Sequence, residues 1–486
     1  MELYLANTGC DYEAENVARI FFPGLRPVKR YPAHGADAVY VRRSRTRAVC
    51  AVRRDGRVAV RWAPLAPDAD KKQAEYAVCR ALFLLLRSET GLCPPWGMLT
   101  GVRPVRFLRT LREKGLTEQQ AKEHLCGRYF VSEEKFALCE DIARRQAPAL
   151  AASGPRSCSL YISIPFCPSR CSYCSFVSRT IAQSRELIEP YVRCLVREIE
   201  ATAALIERLG LRLETAYIGG GTPTAISAAQ LRLLMDAVRR CFDVRALREY
   251  TVEAGRPDCT DEEKLGVILE GGATRISINP QTMDDGVLAA IGRRHTAQDV
   301  ADCFAAARRI GHRNINMDLI AGLPTDTPAG FAKSLAAVAA LSPENITVHT
   351  LTLKRASNLV IDHAPDAYGD VAAMLHACGA LAGQGYAPYY LYRQKGTLQN
   401  LENTGYTKPG FEGLYNIYIM EEAHTILSAG AGGSTKMVAG GGRIRRVFNY
   451  KYPAEYIRGF DDVLAHKEEV ARFYEQRDDL DPETAG

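Results

Sequence analysis

Hydrophobic periodicity divides the chain into three stretches. In the first, MELYLAN alternates as a strand does, DYEAENVARIFF repeats as an amphipathic helix does, and ADAVYVR, TRAVCAVRR and RVAVRWA return to alternation. The last two flank Asp55-Gly56, a dipeptide suited to a two-residue hairpin because both positions tolerate positive φ. From Asp68 to Gln146 the apolar spacing is helical, beginning with KKQAEYAVCRALFLLLR. These elements predict an N-terminal α+β domain over residues 1–152, ending where the unpatterned ALAASGPRS supplies a linker.

Beyond the linker, strand and helix patterns alternate. SLYISIPF, TAYIGGG, REYTVEAG, TRISINPQ, NINMDLIAGLP and NITVHTLTL read as strands, with helical runs between them. Two of those helices open on capping-box pairs, Ser227 with Gln230 and Thr260 with Glu263. Six β-then-α units predict an α/β core over residues 153–362, with a parallel sheet and helices on its outer face. Periodicity does not distinguish a closed barrel from an open one. Residues 363–486 are less regular: a helix through VAAMLHACGALAGQG, an aromatic strand APYYLYRQ, the glycine-punctuated SAGAGGSTKMVAGGG and a helical tail from Pro453. They are expected to form a mostly helical C-terminal domain.

Composition adds an environment. Apolar residues make up 47% and charged residues 24%, and no run supplies the roughly 20 apolar residues that span a bilayer. MELYLANTGCDYEAEN lacks the basic and then apolar start of an export signal, so a cytoplasmic protein without a membrane span is expected. In that reducing setting most of the 15 cysteines read as small buried hydrophobes, as in AVCAV and AVCRALFLL. The net charge of +6 is mild, but 11 Lys and Arg residues fall between Arg26 and Arg61 against only Asp37 and Asp55. This patch reads as the solvated face of a small sheet. Nucleic acid is not the expected partner, because no stacking aromatics read as interleaved with those charges.

One cysteine cluster stands apart. YISIPFCPSRCSYCSF follows the first core strand and places Cys167, Cys171 and Cys174 in a single loop. Thiolates so close in sequence can converge on one centre without ordering distant chain. Three of them suit an iron–sulfur cluster with one open iron, or a zinc site with a remote fourth ligand. Gly219-Gly220-Gly221-Thr222-Pro223 ends the second strand, where glycines admit a ligand close to the backbone or make a tight turn. Glu253 ends the third strand, Gln281 the fourth, Asp318 lies in the fifth, and Arg293 follows in AIGRRH. Such groups gather at one rim of a parallel sheet. His295 and His349 read as structural hydrogen-bonding residues. Arg179, Lys354, Arg355 and Arg393 are candidate partners for carboxylates. No residue is singled out as directly catalytic.

The CxxxCxxC spacing, with Tyr173 before the third cysteine, resembles the signature of the radical S-adenosylmethionine (SAM) superfamily. The resemblance implies a partial (β/α)6 barrel with a four-iron, four-sulfur (4Fe-4S) cluster on Cys167, Cys171 and Cys174. It implies SAM on the open iron, cleaved by one electron to methionine and a 5′-deoxyadenosyl radical. SAM contacts would come from Tyr161, six residues before Cys167, and from Tyr173, Gly220, Gly221 and Thr222. GGGTPT, RISINPQ and DLIAGLP together are similar to the oxygen-independent coproporphyrinogen III oxidase branch. In that branch the residue matching Glu253 contacts one SAM, while those matching Gln281, Arg293 and Asp318 surround a second. One SAM, or two, is therefore implied.

NLENTGYTKPGFEGLYNIYIMEEAHTILSAGAGGSTK and the N-terminal GMLTGVRPVRFLR look most like the HemZ-type coproporphyrinogen dehydrogenases of that branch. That likeness implies anaerobic decarboxylation of coproporphyrinogen III propionates to vinyl groups, giving protoporphyrinogen IX. The implied partners are a porphyrinogen or haem ligand and a reductant such as a flavodoxin or ferredoxin. One position departs from the pattern: the oxidases carry a fourth cysteine two residues after the third, and Phe176 stands there. Phenylalanine at that place resembles the related haem chaperones, so the alternative is a haem carrier of the HemW type.

Overall fold

The computed structural model describes residues 1–101, 103–176, 179–354, 357, 359, 368–439 and 442–476. The chain forms two compact units, Met1–Asp141 with Arg393–Glu402, and Ile142–Tyr392 with Asn403–Gly486. No helix among the described residues is long and apolar enough to cross a membrane.

In the first unit, β1 (Glu2–Ala6), β2 (Arg26–Val28), β3 (Ala38–Arg43), β4 (Arg47–Arg54) and β5 (Arg57–Pro64) form a sheet of order β2-β1-β3-β4-β5. Asp55 and Gly56 take φ of 51° and 74°, so the expected tight hairpin joins β4 to β5. α1 (Asp11–Phe21) and α2 (Lys71–Thr90) bury Val17, Phe21, Val78 and Leu82 against Leu3, Val39, Val41, Cys50 and Val52 on one sheet face. A reciprocal capping pair, Asp70 with Gln73, starts α2.

The second unit is built on a sheet of eleven strands, ordered β14-β15-β13-β12-β11-β10-β9-β6-β16-β17-β18. Its centre is β6 (Ser157–Ile164), β9 (Arg212–Gly220), β10 (Glu249–Glu253), β11 (Arg275–Ser277), β12 (Ile315–Ala321) and β13 (Asn345–Thr350), six parallel neighbours as expected. Helices at Ile181–Arg208, Ala228–Cys241, Glu262–Glu270, Ala297–Ile310 and Pro328–Ala340 connect them. Nearly every residue of β6 is buried, as a parallel strand covered on both faces requires. The order is linear from β14 to β18, and no closed barrel forms among the described residues. Beside the main sheet, β7 (Phe166–Cys167) pairs with β8 (Arg179–Thr180).

The C-terminal residues differ from expectation. They are not mostly helical, because β14 (Ala387–Arg393), β15 (Glu402–Thr407), β16 (Thr425–Ala429), β17 (Ser434–Ala439) and β18 (Arg443–Phe448) all join the sheet. The glycine-punctuated stretch is a strand, a turn and a strand, with β16 lying parallel to β6. A Cβ at Gly430, in that turn, would stand 2.5 Å from the Ser163 carbonyl oxygen, and its φ is 96°. The expected cap at Ser227 forms, but the next lies one residue later than expected. Asp261 accepts the Lys264 N–H, while the Thr260 hydroxyl is 2.8 Å from that of Thr224.

Two buried polar groups fasten these additions. Glu198, fully buried, accepts from Lys467 Nζ at 2.9 Å, Tyr456 OH at 2.7 Å, Asn449 Nδ2 at 2.8 Å and Gly430 N–H at 2.7 Å. His424 bridges Ser153 Oγ at Nδ1 (2.7 Å) and Ser159 Oγ at Nε2 (2.8 Å). Burial, aided by the charges of Lys436, Arg248 and Arg212, holds the His424 pKa down to about 3. Between that value and about 6.5 the unfolded chain binds the extra proton, so stability falls as pH drops through this window. The slope for this one group is about 1.4 kcal/mol per pH unit. His424→Gln, which keeps hydrogen bonding without the charge change, should flatten the fall in urea-unfolding free energy between pH 6 and 4 by about 1.4 kcal/mol per pH unit. An unaltered slope would contradict it.

Candidate functional site

Parallel pairing of β6 with β9 carries on past the strand ends. Gly221 N–H donates to Ile164 O at 2.7 Å and Thr222 N–H to Phe166 O at 2.8 Å, which lays the glycine run against the cysteine loop. A Cβ at Gly221 would meet Phe166 O at 2.6 Å and Cys167 Sγ at 3.0 Å, so only glycine permits this approach. Gly220 has φ of 112°. Thr222 Oγ1 lies 3.6 Å from Cys167 Sγ as donor. The loop turns through Cys174 N–H to Cys171 O at 3.1 Å. Ser172 N–H to Ile291 O (3.1 Å) and Ser169 Oγ to Gly292 O (3.2 Å) then pin it to the segment before Arg293.

The thiols sit in a cationic pocket. Cys167 and Cys171 are buried and Cys174 half-buried. Burial pushes the Cys174 thiol up to about 11; a bond from the Phe176 backbone opposes this, and the charges of Cys171 and Cys167 add to it. Arg256 Nη1 is 3.8 Å from Cys171 Sγ and 2.9 Å from Ser169 O. Asp258 clamps the same guanidinium at 3.0 and 2.7 Å. His295 Nδ1 is 3.8 Å from that carboxylate. A nearby cation favours thiolate over thiol, and hydrogen bonds to ligand sulfur tune an iron–sulfur centre. Among the described residues no three Cys, His, Asp or Glu side chains are drawn tightly enough to cage a single ion. Three cysteine thiols on one loop beside a guanidinium are a donor set that suits an iron–sulfur cluster.

The other expected residues fall into linked groups. Tyr217 OH donates to Glu253 Oε1 at 2.6 Å, and burial lifts the Glu253 pKa to about 7, with the Tyr217 bond opposing and Asp318 adding. Tyr161 stacks near Tyr217 (centroids 5.9 Å apart), which stacks on Tyr415 at 4.6 Å. Gln281, at φ of 70°, extends β11 alongside β12 by donating its N–H to Asp318 O and accepting from Ile320 N–H, each at 2.9 Å. Asn316 Nδ2 donates to Asp318 Oδ1 at 2.7 Å, and His349 Nε2 is 3.6 Å from Oδ2. Burial alone would raise the Asp318 pKa, but His349 and the hydrogen bonds of Asn316 and Thr347 outweigh it and hold the carboxyl low. Arg293, buried, donates to Asn279 O at 2.6 Å and to Tyr173 OH at 3.3 Å.

So Gly221 and Thr222 meet Cys167, Tyr173 meets Arg293, and Gln281 meets Asp318. Tyr161 joins the rim through the tyrosine stack. Sequence reasoning missed Arg256 and Tyr217. Each had a signal: Arg256 follows Glu253 in TVEAGRPD, and Tyr217 precedes Gly219 by two residues in the same strand. His349, read as structural, lies between Asp318 and Tyr392, whose OH is 3.1 Å from Nδ1. Of the proposed carboxylate partners, Arg179 is an exposed residue of β8. Lys354 Nζ stands 5.9 Å from the centre of the exposed Phe176 ring. Arg393 is spent in the first unit on Leu99 O and Asn400 O, and Arg355 lies outside the described residues.

Residues 161–338 match the family described as the Radical SAM superfamily. The chain is also 39% identical over 404 residues to the "oxygen-independent coproporphyrinogen-III oxidase-like protein HemZ" of Bacillus subtilis, covering 82% of this chain and 81% of the relative. It belongs to the radical SAM superfamily. Within that superfamily it is a HemZ-like protein of the coproporphyrinogen oxidase-like kind. The heme chaperone HemW of Bacillus subtilis is 39% identical over 197 residues, 40% of this chain and 51% of that one. A solved structure of coproporphyrinogen III oxidase (HemN) from Escherichia coli shares the fold, with a TM-score of 0.52 at 23% identity over 66% of this chain and 73% of that one. Membership in a radical SAM family implies a 4Fe-4S cluster and SAM.

Arg256→Met should leave Asp258 with only His295 beside it and remove the bonds to Ser169, costing about 1–3 kcal/mol of stability. It should also lower the iron and acid-labile sulfide retained after anaerobic reconstitution, with Arg256→Lys recovering part of both. Full iron content and an unchanged urea midpoint in Arg256→Met would contradict this account of the pocket.

Proposed function

We propose that the protein is a cytoplasmic coproporphyrinogen dehydrogenase, decarboxylating two propionates of coproporphyrinogen III to vinyl groups in anaerobic porphyrin and haem synthesis. The observation that carries this reading is the 39% identity to the HemZ-type relative across 82% of the chain. The linked polar rim around Glu253, Gln281, Arg293 and Asp318 supports it. In this reading the six parallel strands are the partial (β/α)6 barrel of the family. Cys167, Cys171 and Cys174 hold the 4Fe-4S cluster, and Tyr161, Tyr173, Gly220, Gly221, Thr222 and Glu253 bind SAM. Gln281, Arg293 and Asp318 serve a second SAM.

When bound, cluster and SAM supply a hydrogen-abstracting 5′-deoxyadenosyl radical. The chain's own groups set the conditions. Arg256 and Arg293 keep positive charge beside the thiolates, offsetting the charge that reduction adds. Gly221 brings the strand end within reach of the sulfur, and the Tyr161-Tyr217-Tyr415 stack closes one wall with apolar ring faces. Asp318 stays ionised and holds His349, whose other nitrogen faces Tyr392, as a relay able to keep or pass a proton. Loss of a hydrogen atom from the propionate β-carbon to that radical, then of carbon dioxide and of one electron to a separate one-electron acceptor such as an oxidised electron-transfer protein, leaves the vinyl group. The reducing electron comes from a low-potential protein such as a flavodoxin or ferredoxin.

A second reading, a haem carrier of the HemW type, is favoured by Phe176. Its ring is 65% exposed beside Lys354, an apolar face with a cation suited to a porphyrin and its carboxylate. The test is product analysis under strictly anaerobic conditions, with reconstituted protein, SAM, a reductant and both coproporphyrinogen III and haem offered. Protoporphyrinogen formation is expected, reduced at least tenfold in Asp318→Asn, which is about 1.4 kcal/mol of barrier. Haem bound and handed to an apo-cytochrome, with every propionate intact, would overturn the proposal in favour of the carrier.

A further inference from the structure

The uncovered face of the first unit's sheet carries a pattern that the alternation of strands conceals in sequence. Both helices lie on the face of Leu3, Val39, Val41, Cys50 and Val52. The opposite face follows from the register. One row runs Val28, Tyr4, Tyr40, Ala51 and Val60 across all five strands, and Val49 with Trp62 forms the next pair. On this face Val58, Val60 and Trp62 are 63%, 59% and 63% exposed, and Tyr31 is 69% exposed. The Tyr31 ring lies over the row, 5.4 Å from Tyr4 and 5.1 Å from Tyr40.

Cations are set among these rings. Arg47 stands 6.0 Å from the Trp62 ring and Arg53 5.5 Å from the Tyr40 ring. By the same register Arg26 and Arg42 point to this face, and Glu2 is the acid among them. Four arginines against one carboxylate give the face a positive field, while Tyr31 and Trp62 offer ring surface to solvent.

We propose that this face binds a single-stranded polynucleotide, its bases stacking on Trp62 and Tyr31 and its phosphates meeting Arg26, Arg42 and Arg47. Exposed aromatics beside arginines on an open sheet suit that ligand, because every base has a face to stack and every nucleotide a charge to pair. A duplex hides its base faces. An added protein strand at the free edge of β5 would meet Arg57 and Arg61, charges of the kind that blunt edge pairing. The inference is independent of the chemistry assigned to the second unit. It reverses the expectation drawn from sequence, where the aromatics looked unconnected to the charge.

The full-length protein should raise the anisotropy of a fluorescein-labelled single-stranded RNA of about 12 nucleotides, and equally of a DNA of that sequence, since stacks and phosphates are shared. Trp62→Ala should weaken binding about tenfold through loss of one base stack. Arg42→Glu with Arg47→Glu should reduce the slope of log K against log salt by about 1.4, or 0.7 for each lost phosphate contact. Both variants replace surface side chains and should keep the wild-type circular dichroism melt. The proposal is overturned by absence of binding at low salt, by wild-type affinity in a folded Trp62→Ala, by equal competition from duplex RNA, or by self-association through β5 in place of oligonucleotide binding.

Discussion

The second unit depends on one close approach: the end of β9 must lie directly against the loop that leaves β6. Backbone bonds from Gly221 and Thr222 to Ile164 and Phe166 continue the parallel ladder beyond the strands. Gly221 leaves no room for a side chain between backbone and Cys167. Any bulk there would separate the thiol loop from the sheet that orders it. Three cysteines in a mobile loop would hold a cluster poorly, whereas three cysteines pinned by a strand end are positioned before any cofactor arrives.

Charge is arranged around that approach. Arg256 touches Cys171 and Ser169, Arg293 reaches Tyr173, and each is itself held by an oxygen on a neighbouring loop. Buried guanidinium groups cost desolvation and are retained where anions need them. Further along the rim a different balance holds. Burial brings Glu253 near neutrality, while His349 and hydrogen bonds keep Asp318 charged. The surroundings of two carboxylates on adjacent parts of one rim thus push their pKa values in opposite directions.

Local features were the legible ones. The six parallel strands, the Asp55-Gly56 hairpin, the Ser227 cap and the cysteine spacing depend on residues close in sequence, and each reads from periodicity or motif. What was not legible depends on distant partners. β16 lies beside β6 across more than 250 residues, so nothing local in the glycine-punctuated sequence showed the strand and turn found there. Arg256 reaches Cys171 across 85 residues, a pairing that its place after Glu253 in TVEAGRPD does not reveal. The Thr260 cap failed because its hydroxyl pairs with Thr224 instead, leaving Asp261 to cap the helix.

The central claim is that Cys167, Cys171 and Cys174 carry a cubane with one iron open to SAM. Electron paramagnetic resonance of the anaerobically reconstituted, chemically reduced protein tests it most directly. The account predicts the signal of a reduced 4Fe-4S cluster, a change in that signal on adding SAM, and no signal from Cys171→Ala. A silent wild-type protein carrying zinc or no metal, or a spectrum indifferent to SAM, would contradict it.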